Sequence, residues 1–129
     1  MANFIIIAGL TALNNGNIRC GVARLVDNNS EIETVLYKTR KSSNHTCALL
    51  SILEIIKSHP EIASSLEIFQ QGSLGFSHPQ KSVNSVLLAE IFKLAPNLEA
   101  RIMTGVCQSL VEELKTTFDR IPFDTPYTL

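Results

Sequence analysis

The chain has 129 residues, with 11 basic and 12 acidic side chains, a formal charge of −1, and 45% apolar residues. This length and apolar fraction are typical of one globular domain with a single core, and they exclude a disordered segment. The near-neutral charge excludes a strongly basic nucleic-acid-binding tail.

The cysteines and the start of the chain bear on the compartment. Cys20, Cys47 and Cys107 are widely spaced and form no CxxC pair, so we expect reduced, buried thiols rather than disulfides or a zinc site. The apolar run over residues 4–10 is too short to cross a bilayer and follows no basic residue, which indicates a buried strand. We therefore expect a cytoplasmic protein that contacts no membrane and binds no cofactor.

The first half of the sequence predicts a three-stranded antiparallel meander. The apolar run over residues 4–10 leads into residues 14–17, which contain an Asn-Gly pair that supplies the positive φ angles of a tight hairpin turn. A second strand alternates apolar and polar positions over residues 19–26. After a further Asn-rich turn, a third strand is predicted over about residues 31–40.

The second half changes to a helical period, with apolar residues recurring at i, i+3, i+4 and i+7. The predicted elements are a helix through Leu49 to Ile56 that ends at His59-Pro60, a strand at residues 66–69, a helix over residues 83–94, a strand over residues 98–103, and a final helix carrying Leu110, Val111, Leu114 and Phe118.

The resulting order, β-β-β-α-β-α-β-α, predicts an α/β fold. Right-handed crossovers through the helices make the first, fourth and fifth strands parallel. The prediction is a five-stranded mixed sheet, composed of the antiparallel meander and two parallel strands, with helices packed on it. One domain is predicted over residues 1–118, with a loose C-terminal extension over residues 119–129.

Three short stretches, taken with this order, match the pattern of a known family. Ala8-Gly9-Leu10 ends the first strand, residues 42–49 open the first helix, and Gln70-Gln71-Gly72 ends the fourth strand. In these features the chain resembles the ribonuclease H family and the wider ribonuclease H-like fold over about residues 4–115.

The resemblance implies a position for each catalytic carboxylate of the family, and none of them is acidic here. Family enzymes hold two divalent cations that activate the attacking water and stabilise the leaving oxygen. The corresponding positions are Ala8, Cys47, Gln71 and about Gln108, and their immediate neighbours are not acidic either. Because Mg²⁺ needs anionic oxygen ligands, the resemblance implies no metal site and no nuclease activity.

A hydrolase with a rebuilt site is an open alternative. Cys47 lies near the start of the first helix, where the helix dipole lowers the pKa of a thiol, and His45 and His78 are further candidates. Since residues two apart on a helix point in different directions, His45 is poorly placed to act as the base for Cys47. We expect Cys47 to be a packing residue.

Nucleic-acid binding without cleavage is a second alternative. Arg19 and Arg24 on the second strand, with Lys38, Arg40 and Lys41 at the end of the third, predict a small basic patch. Five positive charges in a chain of net charge −1 form a small basic surface for binding RNA or DNA.

Contact with a protein partner, or self-association, is the function that we favour slightly. Val86, Leu88 and Phe92 give the second helix more apolar surface than one core-facing stripe needs, although the C-terminal segment is an alternative cover for them. We therefore predict a non-catalytic adaptor, inhibitor or assembly module that acts through protein contacts.

Overall fold

The computed structural model describes residues 4–28 and 30–129, which form a six-stranded mixed sheet and three α-helices. The strands are β1 (Phe4–Leu13), β2 (Ile18–Asp27), β3 (Ser30–Thr39), β4 (Leu66–Gln70), β5 (Glu99–Ile102) and β6 (Tyr127–Thr128). The helices are α1 (Asn44–Ser58), α2 (Ser85–Leu94) and α3 (Thr104–Glu113), with short 3₁₀ helices at Pro60–Ile62, Pro79–Lys81 and Thr117–Arg120.

The sheet has the order β5-β4-β1-β2-β3-β6. Strands β1, β2 and β3 form an antiparallel meander, and β4 and β5 run parallel to β1. The predicted mixed α/β sheet is confirmed in both parts. The hairpin turn is also as predicted, since Asn14, Asn15 and Gly16 have φ angles of 53°, 55° and 89°, a conformation that Asn and Gly tolerate best.

The predicted number of strands is wrong, because a sixth strand closes the free edge of β3. In β6, Tyr127 and Thr128 pair antiparallel with Leu36 and Val35. Two residues are too few to show the alternation by which a strand is found in a sequence.

The C-terminal segment, predicted to be loose, is attached to β3 by polar and apolar contacts. The amide of Asp124 donates a hydrogen bond to the carbonyl of Lys38 (2.8 Å), and the hydroxyl of Thr39 donates to Oδ1 of Asp124 (2.6 Å). Phe118 and Ile121 are buried in the core that faces α3. The segment therefore lies away from α2 and does not cover it.

The two faces of the sheet carry separate hydrophobic cores. Because side chains alternate along a strand, Ala23 and Leu25 of β2 point towards α1 and α2, whereas Cys20 and Val22 point towards α3. Helix α1 lies at the centre of the first core, and α3 with Phe118 covers the second.

Gly21 allows α1 to approach β2 at backbone distance. A Cβ at this position would overlap the backbone atoms of Cys47 and Ala48 at the start of α1. Backbone atoms cannot move aside as a flexible side chain does, so the contact requires glycine.

We expect Gly21→Ala to lower the free energy of unfolding by about 3 kcal/mol, because α1 must separate from β2 to admit the methyl group. The matched control is Gly105→Ala, whose Cβ would meet no atom within 4 Å in α3. Since alanine is the better helix former, the control should be neutral or stabilising by up to about 1 kcal/mol. Urea denaturation of both variants measures the difference, and equal stabilities would contradict the close approach.

Candidate functional site

A small crevice lies between the end of β4, the second half of β1, and α3. It has a volume of about 260 Å³ and is lined by Leu10, Thr11, Gln71, Gln108, Val111 and Glu112. Gln71 spans it, since its Oε1 accepts a hydrogen bond from the amide of Leu10 (3.2 Å) and its carbonyl accepts one from the hydroxyl of Thr104 (2.9 Å). Two of the four predicted site positions, Gln71 and Gln108, are thus brought together.

The other two predicted positions do not line the crevice. Ala8 is buried in the core beneath α1, and its register partner on β4 is Gln70 rather than Gln71. Cys47 is buried against β2, where its thiol donates to the carbonyl of Arg19 (3.4 Å). The four positions therefore do not form one cluster, because α1 turns Cys47 towards the sheet.

Glu112 is a crevice residue that the sequence analysis missed. It follows Gln108 by four residues on α3, and this spacing places both on one side of the helix. Its carboxylate lies 3.5 Å from the ammonium of Lys115. The spacing would have revealed Glu112 once Gln108 was placed on a helix.

The thiols are chemically quiet. Burial, reinforced by the neighbouring Cys20 and Asp124, raises the pKa of Cys47 to about 12. Burial likewise raises the pKa of Cys20 and that of Cys107 to about 11. A nucleophilic thiol needs a lowered pKa and access to substrate, so the structure does not support the alternative of a hydrolase built on Cys47.

His45 and His78 line a separate polar cavity of about 430 Å³, beside the start of α1. Both side chains are exposed there, whereas Cys47 is buried. The sequence did not predict their proximity, because His45 lies in the first turn of α1 and His78 precedes the 3₁₀ helix Pro79–Lys81, far away in the chain. We call this cavity, lined by Ser43, His45, Ser73, Leu74, Gly75, His78, Lys81, Ser82, Val83 and Asn84, the histidine–lysine pocket.

The five basic residues predicted as a patch are divided between different surroundings. Arg19 donates to the carbonyl of Ser42 (3.4 Å), whereas Arg24 lies on the α3 side of β2. The alternation of side chains along β2 separates an odd from an even position, which the prediction overlooked. Lys38 is buried, and its ammonium donates to the carbonyl of Phe118 (2.8 Å), so its predicted place on an exposed patch is wrong.

Arg40 and Lys41 are the two members of that set that are exposed. The guanidinium of Arg40 lies 4.1 Å from the centroid of the Phe123 ring, and the ammonium of Lys41 lies 3.8 Å from Asp124. Both contacts are with the C-terminal segment. These two side chains therefore form a small basic surface that is partly neutralised.

Arg24 connects α3 to the sheet through polar contacts. Its guanidinium donates two hydrogen bonds to the carboxylate of Glu113 (3.1 and 2.9 Å) and one to the hydroxyl of Thr34 (2.8 Å). Glu31 lies 3.5 Å away on the same side. This network joins α3 to β2 and β3, and the hydrogen bonds from Arg24 lower the pKa of Glu113.

Helix α2 presents an apolar groove to solvent. Val86 is 80% exposed, and Phe92 is half-buried with its ring edge-to-face against Phe76, the ring centroids lying 5.9 Å apart. Leu88 points into the core and is fully buried, so its predicted role as a contact residue is wrong. We call the groove of about 650 Å³ lined by Pro79, Gln80, Ser85, Val86, Ala89 and Phe92 the α2 groove.

Comparison with known proteins identifies the fold. No protein-family model and no curated protein matches the sequence. The N-terminal RNase H domain of Rv2228c from Mycobacterium tuberculosis, solved as a fusion with maltose-binding protein, superposes with a TM-score of 0.70 and 9% identity, covering 93% of this chain and 96% of that one. The chain has an RNase H-like fold.

Two further structures agree with this assignment. LC11-RNase H1, isolated from compost by a metagenomic approach, has a TM-score of 0.65 and 14% identity over 93% of this chain and 98% of its own. RNase H1 from the halophilic archaeon Halobacterium salinarum NRC-1 has a TM-score of 0.62 and 10% identity over 91% and 99%. At these identities the comparison shows the fold alone.

The crevice of this RNase H-like fold does not fit a pair of divalent cations. Two-metal centres bind their cations through several carboxylates, and the crevice lining contains one, Glu112, beside two neutral amides. Within residues 4–28 and 30–129, no group of three or more His, Cys, Asp or Glu side chains is arranged to hold a metal ion.

None of the helices in these residues is long and apolar enough to cross a membrane.

We expect the thiols of the native protein to resist a thiol-specific reagent at neutral pH, because all three are buried and protonated. Unfolding in guanidinium should release three reactive thiols. The native and unfolded labelling rates check this, with Cys47→Ala as the control that removes one equivalent. Rapid labelling of the native protein that Cys47→Ala abolishes would show that the Cys47 thiol is reactive, and would support the alternative of a thiol hydrolase.

We expect Arg24→Ala to lower the free energy of unfolding by about 1–2 kcal/mol at neutral pH, because it breaks a bidentate charge-assisted pair. The control is Arg101→Ala, which removes an exposed guanidinium paired with Glu67 and should cost about 0.5 kcal/mol or less.

The loss on removing Arg24 should depend on pH. Because the folded-state pKa of Glu113 lies below its ordinary value of 4.5, the pair stabilises the fold above pH 4.5 and loses this contribution as the pH falls through the lower, folded value. Chemical denaturation across this range, with Glu113→Gln as the cycle partner, measures it. A loss that is independent of pH would show that Arg24 acts through packing and its hydrogen bond to Thr34 rather than through the carboxylate of Glu113.

Proposed function

We propose that this chain is a non-catalytic RNase H-like binding protein, an adaptor, inhibitor or assembly module, whose partner is a protein held in the α2 groove. The observation that carries the proposal is the exposure of apolar side chains along α2, where Val86 projects into solvent beside Ala89 and Phe92. Contiguous exposed apolar surface of this kind is typical of protein interaction sites. The described C-terminal segment packs on β3 and leaves the groove open.

The chemistry of the crevice supports the absence of nuclease activity. Glu112 is the one carboxylate of the crevice lining, and it forms an ion pair with Lys115. The Oε1 of Gln71 already accepts a hydrogen bond from the amide of Leu10. Replacing carboxylates by amides removes the negative charge that holds two divalent cations close together. The buried thiols agree with a reduced, cytoplasmic compartment, which we include in the proposal.

RNA or DNA binding without cleavage is the second candidate. Its support is the similarity of the fold to RNase H domains and the exposure of Arg40 and Lys41. The burial of Lys38 and the pairing of Arg24 with Glu113 leave a smaller positive surface than the five-residue patch. Since non-specific affinity rises with the number of phosphate contacts, we rank this candidate below protein binding.

We expect Val86→Asp to weaken the complex with the protein partner by about tenfold or more, because a carboxylate is placed where apolar surface is buried. A photo-crosslinking residue at position 89 in the full chain identifies the partner in extract of the source cells. The affinity of the purified partner is then measured by calorimetry. The variant's thermal stability should stay close to that of the wild type, since Val86 is exposed.

The matched control is Val106→Asp, the same substitution at an exposed position on α3, which should leave the affinity unchanged. Equal loss in both variants, or no partner that binds directly when purified, would contradict the proposal.

A parallel incubation with an RNA–DNA hybrid and Mg²⁺ or Mn²⁺ should give no cleavage. Cleavage that Glu112→Gln abolishes would show that the crevice is an active site.

A further inference from the structure

The α2 groove and the histidine–lysine pocket are neighbours that share the segment before α2. In the 3₁₀ helix Pro79–Lys81, Pro79 and Gln80 line the groove and Lys81 lines the pocket. A few residues later Asn84 lines the pocket and Ser85 the groove. One extended partner segment is therefore able to contact both.

The wall between the two cavities is fixed by hydrogen bonds. The hydroxyl of Thr46 in α1 donates to Oδ1 of Asn84 (2.8 Å), and the amide of Asn84 donates to the hydroxyl of Ser82 (2.9 Å). Ser43 accepts from the amide of Thr46 and caps α1. These bonds hold the start of α1 against the start of α2, so the combined surface is preformed.

The lining of this combined surface carries a positive charge and no negative one. None of the residues that line the two cavities is Asp or Glu, although the chain carries 12 of them. Lys81 lies in the pocket, and Lys93 follows Val86 by seven residues along the same side of α2. Glu90, the acidic residue of α2, lines neither cavity and is paired with Lys57 of α1 (3.2 Å). Neither Lys81 nor Lys93 has an ion-pair partner in the described part of the chain. His45 and His78 add ring N–H donors to the pocket.

From this juxtaposition we infer that the partner segment is an acidic amphipathic helix. Its apolar side chains occupy the α2 groove, and carboxylates at one end lie in the histidine–lysine pocket beside Lys81. The inference rests on the proposed function and adds the chemistry of the partner. An amphipathic helix laid in an apolar groove presents anchors at i, i+3, i+4 and i+7, and oppositely charged rims set its orientation.

Two other occupants suit the surface less well. A nucleic acid would match the positive charge but would leave Val86 and Phe92 against a hydrated phosphate backbone. A second copy paired through α2 about a two-fold axis would bring the Lys93 end of one helix towards the Lys81 end of the other. Like charges across an interface oppose association.

The test is a selection from a displayed library of random peptides of about 16 residues, roughly four helical turns, on the full chain. We expect enrichment of peptides with apolar residues at helical spacing and Asp or Glu clustered at one end. Synthetic copies of the enriched peptides are then titrated by fluorescence anisotropy. Lys81→Glu should weaken them by about tenfold, because it reverses the charge that faces the carboxylates.

The matched control is Lys115→Glu, the same change beside α3 on the other face of the sheet, which should leave the peptide affinities unchanged. Enriched peptides that lose binding in Val86→Asp but show no acidic bias and bind Lys81→Glu normally would overturn this inference and leave the proposed function standing. Peptides that bind Val86→Asp normally, or no enrichment at all, would overturn both.

Two further arms address the other occupants. A labelled single-stranded RNA should bind no better than a scrambled acidic peptide. Its binding should also be unchanged in Lys81→Glu. RNA binding that Lys81→Glu abolishes and Val86→Asp preserves would make the pocket a nucleic-acid site and overturn the inference. Sedimentation should show a monomer, and a dimer that Val86→Asp dissociates would assign the groove to a second copy instead.

Discussion

The backbone contact between β2 and α1 at Gly21 determines where α1 lies on the sheet, and the surfaces on either side of α1 depend on that position. Without a side chain at this position, the start of α1 rests directly on the sheet. Ser51 of α1 reinforces the contact, because its hydroxyl lies 3.5 Å from the carbonyl of Gly21 as well as 3.0 Å from that of Cys47. The helix is thus fixed in both height and rotation above β2.

This placement of α1 determines the chemistry on either side of it. It turns the thiol of Cys47 to the carbonyl of Arg19, where burial raises the pKa of the thiol, and so removes it from the crevice. It also presents Thr46 to Asn84, the residue before α2. Together with the burial of Leu88 and Ile91 in the same core, this bond positions the start of α2 against α1 and leaves Val86 exposed.

Those parts of the fold that depend on local signals could be predicted from the sequence. The hairpin turn follows from the conformational freedom of Asn and Gly at residues 14–16, and the helices follow from the period of their apolar residues. Strand β6 could not be predicted, because its two residues are held by pairing with Leu36 and Val35 far away in the chain. Local patterning does not encode such a partner.

The candidate site shows the same limit at the level of side chains. Strand alternation could have separated Arg19 from Arg24, and helix spacing could have found Glu112 from Gln108. In contrast, the partners that neutralise Arg24 and bury Lys38 come from α3 and from the segment after it. Only the assembled fold shows that these two cations are internal contacts rather than an exposed surface.

The crevice and the α2 groove are built on different elements of this RNase H-like fold. Val111 of the crevice belongs to the core under α3, whereas the groove belongs to α2 in the other core, across the sheet. Carboxylates placed close together repel one another when no cation is bound, so the two amides of the crevice lining, Gln71 and Gln108, avoid this cost. The contacts at Gly21 and Asn84 involve α1, and neither residue lines the crevice. A binding surface on α2 is therefore physically independent of the chemistry in the crevice, since function belongs to individual sites on a fold rather than to the fold itself.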